Sequence, residues 1–581
     1  MKKLFFLLIF TCLANFLQAQ SISFQTTKSD IFKDEFKNSV IVLSEINPKK
    51  ELLLVRSYNG SNVLSQGQGF YIEKYDENLK VKSAFDFEMK HPNYQKYNLM
   101  IGVFTMSGNL HFVEIYYDIN EKAFTCFDNI MSEDYKITTK ELFRLTREEM
   151  GHFGNFNLQQ KFYARAKETW TNDNSGAINS ENELAQLNNF HKVFFAGNGG
   201  QSYQYSAVYE NENQGPSSDI LLTVNENKTS FAIAIDGNNK ENDGLKLFLF
   251  DSSLNKKLDL FFTTEIKDKK CFFENIQTSP NEDAIYLLAK AYTKDLKKKD
   301  EGGKYYYEFA KITPQKTTRQ KIDVGEHFIG SLKTYFHNNE LVTIGFYSDA
   351  KDFTYSGICC FKSDANSLEI KSSKYNPFSE QFLTDKYGYE NNKALKNIRF
   401  KKLFFTNNNE IILNAEESYI TEQYYKSYGA PTSISPFGNS TAGGASVHYN
   451  YDDIIIAKLT ADGNLLWARN INKRQSSADD DNSFISYTST IVNDKNYLFI
   501  NTKDKIKKLK NDRIEFGQVR KNKSNLNVIE VNTVGDFNYQ EILDDEENKV
   551  PFMVSKGTII DNSVYFLGRR TSNKQLLKVT L

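Results

Sequence analysis

One short pattern recurs eight times along the 581 residues and restricts the fold more than any other feature. A polar turn carrying Asn, Asp, Gly or Pro is followed at once by an apolar, strand-like run, in segments beginning at Ile46, Met106, Val224, Ser279, His337, Thr406, Val492 and Ile560. This is hairpin chemistry: such residues accept tight-turn dihedrals, and the run after them suits a pleated, half-buried surface. A second strand–turn–strand signal follows within most units, clearest from Phe70, Leu247, Ile358, Ile454 and Val528. Two hairpins in fixed order make a four-stranded antiparallel sheet of roughly 50–60 residues, the blade of a β-propeller. The spacing predicts an all-β chain of about eight such blades. Seven is the alternative if residues 97–145 do not form one.

The two ends of the chain fit this pattern. The final unit has three strands, while Ser21–Thr27 supplies an unassigned one near the start. Pairing them closes a ring and removes the exposed edges of an open sheet. Residues 20–581 are therefore expected to be a single propeller domain, although length alone suggests about four domains. In antiparallel blades the first and third turns share one end of the propeller. The second loops and the connections between blades share the other. The short repeated turns belong to the first group. Thr146–Asp219, Tyr375–Asn397, Tyr419–Tyr451, Arg474–Asp481 and Asp504–Ser524 belong to the second. Residues 146–219 are read as a partly helical insertion, with Ser180 as N-cap and Glu183 three positions on.

Composition supplies the address. Residues 1–19 have the form of a secretory signal: Lys2 and Lys3, the apolar run Leu4–Phe10, then Leu17-Gln18-Ala19 before the cleavage point. The predicted location is the periplasm or the outside of the cell, with no transmembrane segment. Lys and Arg total 72 against 73 Asp and Glu, which leaves no basic excess for a nucleic-acid partner. Beyond the signal, Cys126, Cys271, Cys359 and Cys360 are too scattered for a disulfide framework. Cys359 and Cys360, adjacent in a strand, should point to opposite faces.

Catalytic patterns do not emerge. The seven histidines make no short metal-binding spacing and are read as isolated surface or loop residues. Asp479-Asp480-Asp481 lacks the alternation of a calcium loop. Gly438, Gly443 and Gly444 lack the Lys-Ser/Thr of a phosphate cradle. No catalytic residue, metal ligand or cofactor is assigned. The candidate binding residues are aromatics of the long loops: Trp170, Tyr424, Tyr425, Tyr428 and Phe437, whose rings can stack on a sugar or peptide.

The segment Asp453-IIIAKLTADGNLLWARN resembles the repeat of bacterial secreted β-propeller proteins, where an Asp-Gly turn precedes a strand carrying Trp. Thr278-SPNEDAIYLLA is similar to the Ser-Pro turn of periplasmic propellers related to the Tol system. The resemblance implies a propeller over nearly the whole mature chain. Quinoprotein propellers carry Trp motifs in most blades, whereas this chain has 2 Trp, so a quinone cofactor is not expected. The functional expectation is a non-catalytic binding or scaffold protein at a Gram-negative cell envelope. A protein or glycan ligand would dock on the long-loop face. The alternative is a carbohydrate-active enzyme with acidic residues in the central pocket.

Overall fold

The computed structural model describes residues 22–581 apart from 34–38, 48, 60–67, 89–96, 119, 122, 147–148, 150–219, 237–243, 264–270, 293–304, 351–353, 390–393, 426–443, 479–481, 504–505, 511–512 and 520–523. Residues 1–19, read above as a signal, and most of 146–219 lie outside these residues. Eight sheets follow one another along the chain, antiparallel except where Asn472 and Lys473 pair in parallel with Glu515 and Phe516. Seven are built from strands in sequence order: 40–88, 97–145, 220–263, 271–322, 328–377, 398–473 and 488–543. These are the first to seventh blades. The eighth (558–580) takes its last strand from the beginning of the chain, Gln25–Lys28 pairing with Asn573–Thr580. Residues 97–145 form a complete four-stranded blade.

The sequence distributes burial as a propeller requires. Third strands are nearly covered, as in Ala123–Met131, whereas the outer strand Val81–Glu88 alternates half-buried with exposed positions. Outer strands also carry charge, as in Lys256–Thr263, which discourages pairing with another chain. Inner strands share a register shift near their start, between Ile41 and Leu43, Met100 and Gly102, and Phe400 and Lys402. Such bulges sharpen the strand's twist.

Apolar clusters join each blade to the next. One spans the first three blades; others join third to fourth, fourth to fifth, fifth to sixth, sixth to seventh, seventh to eighth, and eighth to first. The phenylalanines do much of this: Phe70 meets Phe112 at 4.8 Å, Phe143 meets Phe248 at 3.9 Å and Phe499 meets Phe566 at 5.4 Å between centroids. Each fully buried ring contributes about 1.5–3 kcal/mol. Cys359 packs in the cluster facing the fourth blade and Cys360 in the one facing the sixth, the opposite faces expected of neighbours in a strand.

Three long connections hold structure that the turn pattern does not announce. Tyr419–Tyr451 was expected as a loop, yet the sixth blade's hairpin continues through it: Ile411–Tyr425 pairs with Gly444–Leu459 as far as Tyr425 opposite Gly444. Gln475–Ala478 then adds to that hairpin beside Tyr451 and His448. Between the fifth and sixth blades lies a helix, Glu380–Tyr387, started by Ser379, whose hydroxyl accepts from Phe382 N at 3.2 Å. It ends at Gly388, where φ is 82°. His111 corrects another expectation. It is buried within the second blade, with Nδ1 2.7 Å from Asp128 Oδ2. Among the described residues no helix is long and apolar enough to cross a membrane.

Candidate functional site

The short-turn end of the ring is locked by side chains that reach from one blade's turn to the next. Asn225 closes its own turn, its Oδ1 accepting from Thr229 N at 2.8 Å, and its Nδ2 donates to Ser279 O of the fourth blade at 3.2 Å. Asn227 donates to Pro280 O at 3.3 Å. Asn281 donates to Asn339 Oδ1 at 3.0 Å, and Asn338 donates to Asn409 Oδ1 at 2.9 Å. Asn407 N donates to Asp494 Oδ1 at 3.1 Å. On the opposite flank Lys228 pairs with Glu45 and donates to Thr105 Oγ1 at 3.0 Å. The chain runs from the first blade to the seventh. Turn chemistry explains why Asn fills so many of these places. Asn338 and Asn339 have φ of 49° and 61°, the left-handed pair of a two-residue hairpin turn that Asn tolerates best after Gly.

Inside this chain of contacts opens a basin of about 1120 Å³, lined by the turns of the third to fifth blades and the inner strand of the sixth. One wall is aromatic. His337 lies flat on Phe405, centroids 3.8 Å apart and planes 3° apart, and Tyr286 meets Phe336 edge-on at 4.7 Å. The Tyr286 hydroxyl donates to Ala365 O at 2.7 Å, and burial pushes its pKa up, so it stays a neutral donor. Burial does the same to Tyr335. Two carboxylates border the basin, Glu226 and Glu282, and Glu282 is matched by Lys311 at 2.6 Å. Gln277 Oε1 and Thr278 Oγ1, in residues of the same wall, are buried without a hydrogen-bond partner. Buried polar atoms seldom remain unpaired, so these two mark unfilled bonding capacity.

A second polar centre lies at the other end of the sixth blade. Glu416 and Lys473, both fully buried, pair at 2.8 Å. Ser486 Oγ donates to Glu416 Oε2 at 2.6 Å and receives Lys401 Nζ at 2.9 Å. Burial lowers Lys401 to about 8. A lysine of depressed pKa beside a serine at φ 71° has the composition of a nucleophilic pair. Ser486 is only 1% exposed, however, and its hydroxyl hydrogen is committed to Glu416, so the group orders the connection rather than meeting a substrate. Nearby, Lys386 of the helix sits 2.8 Å from both Glu417 and Asp453. Burial raises Glu417 to about 7.

Of the aromatics singled out in the sequence, Trp170, Tyr428 and Phe437 lie outside the described residues. Tyr424 and Tyr425 end the sixth blade's long second strand, opposite Ala445 and Gly444. The basin residues were missed because they look like ordinary hairpin turns. Their one signal was the Asn density at 225–227, 338–339 and 407–409. Among the described residues no cluster of three His, Cys, Asp or Glu side chains could hold a metal ion.

No family model matches the chain, and no curated protein does. Solved structures do resemble it. The polysaccharide lyase Uly1 aligns at 9% identity and a TM-score of 0.34, over 97% of this chain and 93% of that one. Prolyl oligopeptidase B from Galerina marginata aligns at 8% identity and a TM-score of 0.36, over 94% of this chain and 55% of that one. An acylaminoacyl peptidase from Pyrococcus horikoshii gives 8% identity and a TM-score of 0.32, over 82% of this chain; the chain spans 50% of its length. The assignment of the fold rests on the sheets themselves.

Proposed function

We propose that this chain is an exported, non-catalytic binding propeller at the cell envelope, with the basin as its ligand seat and the long-loop face as the side that docks a partner. The observation that carries the reading is the basin. Its shape is set in advance by turn-to-turn hydrogen bonds, so a ligand meets an ordered surface and binding loses little to rearrangement. The sequence features of residues 1–19 support export. The aromatics Trp170, Tyr424, Tyr425, Tyr428 and Phe437 are the proposed contacts of the second face. A glycoside hydrolase of the common kind would need two carboxylates facing a reacting bond. Glu282 is already held by Lys311, which favours binding over catalysis.

Capture from envelope extracts tests this reading. Wild type should retain a ligand that Asn281→Trp, which sets a bulky ring at the basin's rim and removes its amide, loses. Deletion of 146–219 should remove a protein partner without affecting that ligand. Equal capture by all three proteins would defeat the assignment of both faces.

A further inference from the structure

We infer that the basin takes a neutral oligosaccharide chain; this rests on its being the ligand seat and specifies what sits there. The amides define the complement. Asn338 commits both Nδ2 hydrogens, to His337 and Asn409, and keeps Oδ1; Asn227 and Asn281 each commit one Nδ2 hydrogen and keep the other with Oδ1; Asn339 accepts at Oδ1 and keeps Nδ2. The rim therefore offers acceptors and donors together, fixed in place. Vicinal hydroxyls, each able to donate and accept, match such a rim. A phosphate or carboxylate, which only accepts, could use the remaining N–H groups but would leave the amide oxygens without a donor.

The flat His337–Phe405 pair supplies what the other side of a pyranose needs, an apolar surface for its ring C–H face. Charge narrows the class further. Among the described residues no Lys or Arg lines the basin; Lys311 beside it is matched by Glu282, and Glu226 also borders it, so an anionic polymer would meet a net negative rim. The volume, about 1120 Å³, exceeds the upper end of ordinary small-molecule pockets (roughly 1,000 Å³) and fits a short chain better than a single sugar.

The test is calorimetric titration of the full mature chain with four neutral hexaoses (cello-, chito-, malto- and mannohexaose), with hexagalacturonate, and with a neutral hexapeptide. At least one neutral hexaose should bind, and hexagalacturonate should bind at least tenfold more weakly. Asn227→Ala/Asn281→Ala should weaken the neutral sugar at least tenfold, with the unfolding midpoint moved by less than about 2 °C. His337→Ala should weaken it several-fold. Failure of all four neutral sugars overturns the inference, as does binding that the double variant leaves intact. Peptide binding that the double variant abolishes would keep the basin as the seat and overturn only the ligand class.

Discussion

The two ends of the sixth blade solve the same problem with opposite chemistry. At the short-turn end Asn407 and Asn409 reach the neighbouring blades through neutral, exposed amide and backbone groups. At the other end Glu416 and Lys473 pair with each other inside the blade as full charges removed from water, and Ser486, from the connection to the seventh blade, donates to Glu416. Neutral amides cost little to hold at a surface, and half of each remains available to a ligand. Buried charges are fully consumed by one another, and each is tolerated only while its partner stays. The first end is built to meet something, the second to stay closed.

Separating these roles begins with the largest effect. Lys473→Met should cost up to about 3–5 kcal/mol in denaturant unfolding, because it leaves the buried Glu416 only Lys401, 3.8 Å away, as a counter-charge. Adding Glu416→Gln should recover part of that loss, and no recovery would mean that the pair is not the anchor. Gly535→Ala, at the short-turn end of the seventh blade, should cost about 1–3 kcal/mol. Its φ is 94°, and a Cβ would lie 2.9 Å from Trp467 Cδ2. An unchanged midpoint would show that this end yields more easily than its geometry implies.

The third effect depends on pH. The folded chain keeps the Glu417 proton up to about 7, while the unfolded chain releases it near the ordinary 4.5. The folded state binds more protons between these values, so this contribution to stability is complete below 4.5 and is lost as pH rises through 7. The loss should approach on the order of 1 kcal/mol per pH unit. Glu417→Gln should flatten the profile of unfolding midpoint against pH over that window, and an identical slope in both proteins would sink the assignment. The smallest effect is at the rim. Asn227→Ala, exposed and not at a positive φ, should change stability by no more than about 0.5 kcal/mol. A larger loss would make the Asn chain a structural brace.

Much of the ring was legible because each blade repeats a local code. Asn338-Asn339 between two apolar runs marks a hairpin whatever surrounds it, and Ser21–Thr27 stood out as a strand lacking a partner. The contacts between blades carried no such code. Asn281 and Asn339 are partners only because two turns in different blades come together, and Glu416 and Lys473 lie on separate strands. Nor did the sequence separate hairpin from loop after Ser418, where polar and aromatic residues replace the apolar alternation yet the ladder continues to Tyr425. The basin was hidden for the same reason: it belongs to four blades at once.

The shared eighth blade has a consequence in time. Gln25 pairs with Thr580, so the clasp is among the most distant contacts the chain makes. Contacts of that separation form slowly, after local hairpins have already appeared. A chain emerging from one end would stack blades in order while its first strand waited unpaired. Only the arrival of Asn573–Thr580 would turn an open arc into a ring. The interval before that meeting is when the chain's edges are most exposed to a chaperone or to a second copy.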